Sequence, residues 1–329
     1  MTRTRIPDEV LTAAHDRARA RADRDWPEAD RLRAIIEAAG WKIVDRGTDF
    51  ALTPAVARDI ADDTLVRYGT SKNVPSRLEE VPTGLATVVL IATDHPDDLD
   101  RTLTGIRDHA PEGTSVVIVA DGPSDEQAAA LASASLGAQG SVEAHRPVEV
   151  VWTSERLGQG AATNIGIRRA SAPIIVLLDT SIEPTGDMIT PLVRALDDPT
   201  VAVVGGWGIT SADLRHFDDA PAGEVDAIEG YCQAFRRSDA ADRGPLDERF
   251  RFYRNLDIWW SLVLRDAGEG EPPRRAVRLD GLALARHDHR GWASLPDDER
   301  DRQSKRNFYR IIDRFGARLD LLIATRDGD

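Results

Sequence analysis

Two acids stand where apolar runs stop. Ile174 to Leu178 are unbroken aliphatics followed by Asp179, and Val116 to Ala120 lead in the same way to Asp121. Runs of this length suit strands covered on both faces, and open α/β sheets bind ligands at the carboxyl ends of such strands. Taken without its neighbours, Asp179 would simply cap the following turn with Thr180 and Ser181. A second cluster reads Arg286, His287, Asp288, His289, Arg290. Histidines two apart on a strand share a face, so both are expected to reach one site, and the flanking arginines are fixed cations of the kind that meet phosphate. A third cluster places Asn255 and Asp257 at the start of an apolar helical run, with Asp247 and Glu248 just upstream. Asp257 suits a general base, and it equally suits a negative charge at a helix N-terminus; both readings stay open. Asn255 cannot take up a proton at neutral pH.

These side chains need elements to hold them. Gly158 and Gly160 allow a tight turn or close backbone approach. Ala161, Ala162, Ile165 and Gly166 then give a helix face of small residues with Asn164 among them, and Pro173 stops the helix before the strand that ends at Asp179. Earlier, VVLIATDHPDDLDRTLTGI reads as a strand, a polar turn holding Thr93 and Asp94, and a helix. Phe250, Phe252, Tyr253, Trp259, Trp260, Trp207 and Trp292 supply aromatic faces. Adjacent Trp259 and Trp260 cannot face the same way on a helix, so at least one is expected in the core, and Trp207 or Trp292 is the better contact for a ligand.

In four pieces and in order, residues 86 to 295 resemble the family 2 glycosyltransferases. The pieces are the strand and turn at Thr93 and Asp94; SVVIVADGPSD, where Ala120 stands for the first of the family's two acids and Asp121 keeps the second; Gly158, Ala162, Asn164 and Gly166 followed by the strand to a D-x-D; and GPLDERFRFYRNLDIWWSLVLRDAG on the acceptor side. The resemblance implies an α/β fold of GT-A type, Rossmann-like, that binds a nucleotide-sugar donor and transfers the sugar, with inversion, to the hydroxyl of a glycan, lipid or small molecule. It implies that Asp121, Thr93 and Asp94 line the nucleoside, with Gly158 and Asn164 behind them, and that Asp179 and Ser181 lie at ribose and diphosphate. Asp179, His287 and His289 are then the expected ligands of a divalent cation, Mn2+ or Mg2+. Two positions depart from the pattern: Ser181 replaces the second acid of D-x-D, which weakens the case for metal dependence because hard cations favour charged oxygens, and Asn255 replaces the usual base. Those departures leave a second reading, a GT-A domain that binds nucleotide, sugar or partner without turnover.

The chain of 329 residues has 41% hydrophobic content, enough for one large α/β domain and an appendage. The four expected parts are a helical-hairpin module over 1–56, a helix and linker over 57–85, the GT-A domain over 86–295 and an amphipathic helix over 296–329, with Phe308, Ile311, Ile312, Phe315 and Leu319 at helical spacing. That last helix covers the sheet or contacts a second subunit, which makes a homodimer one reading. The first module has helical runs over Glu9–Arg24 and from Ala29 to Ala39, then short strands around Arg46-Gly47-Thr48. Its stretch ARARADRDWPEADRLRAIIEAAGWKIVDR resembles the helical tail at the carboxyl end of cysteinyl-tRNA synthetases. A net charge of −14 argues against a nucleic-acid partner. Cys232 is the single cysteine, so no disulfide within the chain can form, and no apolar run approaches the ~20 residues of a membrane span. A cytoplasmic protein is expected, with peripheral membrane contact open to the basic last helix.

Overall fold

The computed structural model describes residues 6–47, 49–62, 65–138, 147–268, 271–293 and 295–326; of 54, 134–138, 292–293 and 326 it describes the backbone alone. Thr48 and the side chain of Trp292 therefore lie outside the described set. The chain divides into two compact units, Met1–Asp59 and Ile60–Asp329.

In the first unit, helices Asp8–Ala22 and Trp26–Ala38 precede a hairpin of strands Trp41–Arg46 and Asp49–Pro54. Asp25 caps the second helix by accepting from the Glu28 N–H. Val10, Ala13, Ala14, Leu32, Ile36, Trp41 and Ile43 form its core. Asp45 accepts from Arg17 at 2.7 Å and from Arg21 at 2.6 Å, tying the hairpin to the first helix.

The second unit is built on a mixed sheet of ten strands. At its centre Ile174–Leu178, Ala86–Ala92, Thr114–Ala120, Val148–Thr153 and Val66–Tyr68 run parallel in that spatial order. Cys232–Arg236 pairs antiparallel with Ile174–Leu178 on the other side, and Val201–Gly205 and Arg275–Arg278 continue beyond it. The aliphatic runs read from the sequence are the buried middle of this sheet, with Val88, Leu90, Ile118 and Val176 at most 2% exposed. The expected helix after residue 57 is not present. Strands Ile60–Ala61 and Val66–Tyr68 and the 3₁₀ turn Ser71–Asn73 occupy that stretch, because Arg67 and Tyr68 complete the free edge beside Trp152 and Thr153. A segment this short, closed by Gly69 and Pro75, gains more from ladder hydrogen bonds than from one isolated turn of helix.

The helix Asp297–Phe315 packs within its own unit. Asn307, 1% exposed, donates to the carbonyls of Phe252 and Arg254 at 2.8 Å each, and Ile311 and Phe315 are buried. Among the described residues no helix is long and apolar enough to cross a membrane.

Candidate active site

Because strands Ala86–Ala92, Thr114–Ala120 and Ile174–Leu178 are parallel, Thr93, Asp121 and Asp179 all emerge at one edge of the sheet. Helix Pro96–His109 fixes the last of these. Its Thr102 hydroxyl donates to the Thr180 carbonyl (3.0 Å) and the Ile182 carbonyl (2.8 Å). A Cβ on Gly105 would lie 2.4 Å from the Pro184 oxygen, so only glycine lets the helix approach.

Asp179 is 28% exposed at its side chain. One carboxylate oxygen, Oδ1, accepts from the Ser181 N–H (2.8 Å) and hydroxyl (2.5 Å), and Oδ2 lies 3.3 Å from His289 Nε2. Burial pushes the Asp179 pKa up, but the His289 bond and charge and the two Ser181 donors outweigh it and hold the acid below its ordinary value. His289 in turn is raised: burial works against its charge, and the bond and charge of Asp179 prevail. Tyr253 stacks on the imidazole, centroids 4.5 Å apart, and closes this ion pair from one side. His287 has a different partner. It follows the strand Leu284–Arg286, and its Nε2 lies 2.7 Å from Glu183. The two histidines thus sit past a strand end rather than on one, and the face expected to unite them on one ion is split between Asp179 and Glu183.

Next to this pair lies a second group. Asp179 donates its N–H to the Tyr231 carbonyl at 3.0 Å, and Gly230 donates its N–H to Asp257 at 2.7 Å. The Asp257 side chain and the Asp179 backbone are thereby anchored on neighbouring residues of one segment, Glu229-Gly230-Tyr231. The other oxygen of Asp257 accepts from the Ile258 N–H at 3.0 Å. Burial raises the Asp257 pKa against these two donors and the Arg254 charge. Glu229 is pushed up to about 6, first by burial and then by the charges of Asp257 and Asp219, with Arg286 and Arg254 opposing. The Arg286 guanidinium lies 4.5 Å over the Tyr231 ring, and Trp207 meets the same ring edge-on at 5.6 Å. Nothing in the spacing of the sequence marked Glu229 or Tyr231; they arrive because Cys232 pairs with Leu178 and draws the residues before it beside Asp179.

Other expected contacts turn inward. Asp121 is 1% exposed, and its oxygens accept from the Leu157 N–H (2.7 Å) and Gly158 N–H (3.0 Å). The expected bond to a nucleobase is replaced by this clamp on the glycine turn. Asn164, 3% exposed, exchanges hydrogen bonds with both backbone groups of Leu246, at 2.8 and 2.9 Å, and with Glu248. It holds the acceptor-side block. Gly158, at φ 94°, would place a Cβ 2.9 Å from Arg251 Cα. Asn255 takes the left-handed cap position of helix Leu256–Arg265 and donates to the Ser304 carbonyl at 3.1 Å, so it anchors the last helix. Asp247 is held by Arg249, and Glu248 accepts from Asn164. Thr93 and Asp94 do face the edge: the Thr93 carbonyl accepts from the Ser124 N–H (2.8 Å), and exposed Asp94 accepts from the Ser124 hydroxyl (3.0 Å). Trp259 and Trp260 are both core, 4% and 1% exposed.

Among the described residues no group of three His, Cys, Asp or Glu side chains is placed to hold a metal ion. The carboxylate nearest the expected position, Asp179, has Ser181 and His289 on its oxygens, and His287 is drawn to Glu183, so the three expected ligands are not brought together.

This architecture, a mostly parallel α/β sheet with acids at one edge, is the GT-A fold of glycosyltransferases. Residues 87–245 match the model of glycosyl transferase family 2. A mannosyltransferase from Pyrobaculum calidifontis, solved in complex with GDP-Man and Mn2+, superposes with a TM-score of 0.54 at 18% identity, over 76% of this chain and 71% of that one. GalNAc-T7, solved with UDP, GalNAc and Mn2+, gives a TM-score of 0.57 at 14% identity over 70% of this chain and 48% of that one. Forty residues, 12% of the chain, are 45% identical to cysteine–tRNA ligase 1 of Burkholderia lata and span 8% of that protein, in keeping with the likeness of the first module.

Proposed function

We propose that the chain transfers a sugar from a nucleoside diphosphate sugar to an acceptor hydroxyl, with inversion at the anomeric carbon. The observation that carries this reading is the Asp179–His289 pair at the carboxyl edge of a GT-A sheet, at the position of the family's D-x-D. The donor's nucleoside lies against the Thr93–Asp94 turn, and its diphosphate reaches the Asp179 side. A departing diphosphate needs positive charge where the bond breaks. His289, whose charge the Asp179 bond favours, and Arg286, held over Tyr231, supply it from the protein's own residues. Trp207, beside Tyr231, offers an apolar face to the acceptor, and the Glu229–Asp257 pair offers the proton acceptor. A divalent cation is an unfavoured addition, since Ser181 brings no charge and His289 is committed to Asp179.

The test is release of nucleoside diphosphate from UDP-glucose, UDP-N-acetylglucosamine and GDP-mannose. At least one is turned over by the wild type and the activity is lost in Asp179→Asn; equal turnover in both proteins sinks the reading. Ser181 and Asn255, in place of usual acids, favour a second reading, a nucleotide- or sugar-binding domain without turnover. It predicts binding of the same compounds and no release.

A further inference from the structure

We infer that Glu229 is the general base of the transfer, with Asp257 fixed beside it by two backbone N–H donors. This rests on the glycosyl-transfer reading above. A base is best served by a carboxylate that holds no other donor. Among the described carboxylates around Asp179, Asp179 is held by Ser181 and His289, Asp257 by the Gly230 and Ile258 N–H groups, Asp98 by Arg101 and Arg290, and Glu183 by His287 at Oε2. Glu229 alone of this set carries no hydrogen bond or ion pair on its carboxylate. It is half-buried, and its N–H is bonded to the Trp207 carbonyl at 3.0 Å, so its backbone is fixed next to the proposed acceptor platform.

The charges facing Glu229 come from every side: Asp257 and Arg254 at the helix start, Arg286 at a strand end and Asp219 on the strand Asp218–Asp219. Burial beside two anions keeps an acid's proton affinity high, which is what a base working near neutrality needs. The step balances as follows. The acceptor O–H gives its proton to Glu229 while its oxygen forms a bond to the anomeric carbon. The bond from that carbon to the diphosphate oxygen breaks with its electron pair, and the anion leaves toward Arg286 and His289. Glu229 then returns the proton to solvent.

Hydrolysis of the three nucleotide sugars, with water as acceptor, gives the readout, alongside thermal shifts with UDP and GDP. In Glu229→Gln, turnover falls at least ~100-fold and the acid limb of the pH profile disappears, while the nucleotide shift is unchanged. In Asp257→Asn, the acid limb persists and moves to lower pH, because a neighbouring anion is gone. Glu229→Gln turning over within tenfold of the wild type, with its acid limb in place, overturns the assignment. So does a limb that vanishes in Asp257→Asn and survives in Glu229→Gln, or a wild type that binds nucleotide and hydrolyses none of the three. A wild type with no nucleotide shift sinks the donor site itself, which separates the two failures.

Discussion

Glu229 is a residue the fold would be better without. Its carboxyl titrates near 6 in the folded protein against 4.5 for the free side chain, first because burial disfavours its charge and then because Asp257 and Asp219 repel it. A carboxyl whose value rises on folding gives its stability in full below the unfolded value and loses it as pH climbs through the folded one. The window is therefore pH 4.5 to about 6. Above it the ionised side chain costs about 2 kcal/mol at most, at roughly 1.4 kcal/mol per pH unit. Glu229→Gln is accordingly expected to melt with the wild type at pH 4 and several degrees above it at pH 8. Urea midpoints at the two pH values measure this, and equal midpoints at pH 8 would show that the carboxyl is not desolvated.

At the scale of elements, one arrangement positions most of the candidate site: the glycine turn and its helix dock on the block from Pro245 to Arg251. Gly160 donates its N–H to the Phe250 carbonyl at 2.8 Å, and a Cβ there would sit 2.7 Å from the Asp247 oxygen. Asn164 pairs with both backbone groups of Leu246 as a strand residue would. Asn164→Ala would leave a buried N–H and C=O unpaired and is expected to cost about 2 to 4 kcal/mol. Gly160→Ala, forced against backbone, costs about 1 to 3 kcal/mol. Chemical denaturation checks both, and a loss under 0.5 kcal/mol from Asn164→Ala would contradict the clamp. Sequence reasoning recognised that these glycines mean close approach, because the absence of a Cβ has few other uses. It assigned Asn164 to the ligand side because a side chain's partner lies 82 residues away and leaves no local trace. Asp121 misled for the same reason: a strand-end acid has the same spacing whether it faces a guest or the chain's own N–H groups.

Over the whole molecule, the buried aliphatic runs were enough to read the central strands and the acids at their ends, since runs of apolar residues are local in the sequence, and the type of α/β fold came from the family resemblance. Partnerships across that edge were not legible. His287 and His289 look equivalent in sequence and separate in space, because strand Leu284–Arg286 ends before them and the Glu183 side chain, from the paired strand, bonds the first. Glu229 and Tyr231 depend on the antiparallel pairing of Cys232 with Leu178, a long-range register. The stretch after residue 57 read as helix and became sheet edge for a similar reason, its partner Trp152 being far along the chain. The central claim is that this edge receives the diphosphate end of a sugar carrier at Asp179. Calorimetric titration of UDP, GDP, ADP and dTDP into wild type and Asp179→Asn tests it most directly. Saturable binding of at least one to the wild type is expected, with weakening by tenfold or more in the variant, about 1.4 kcal/mol; no binding by any of the four, or equal binding by both proteins, would contradict a diphosphate site at Asp179.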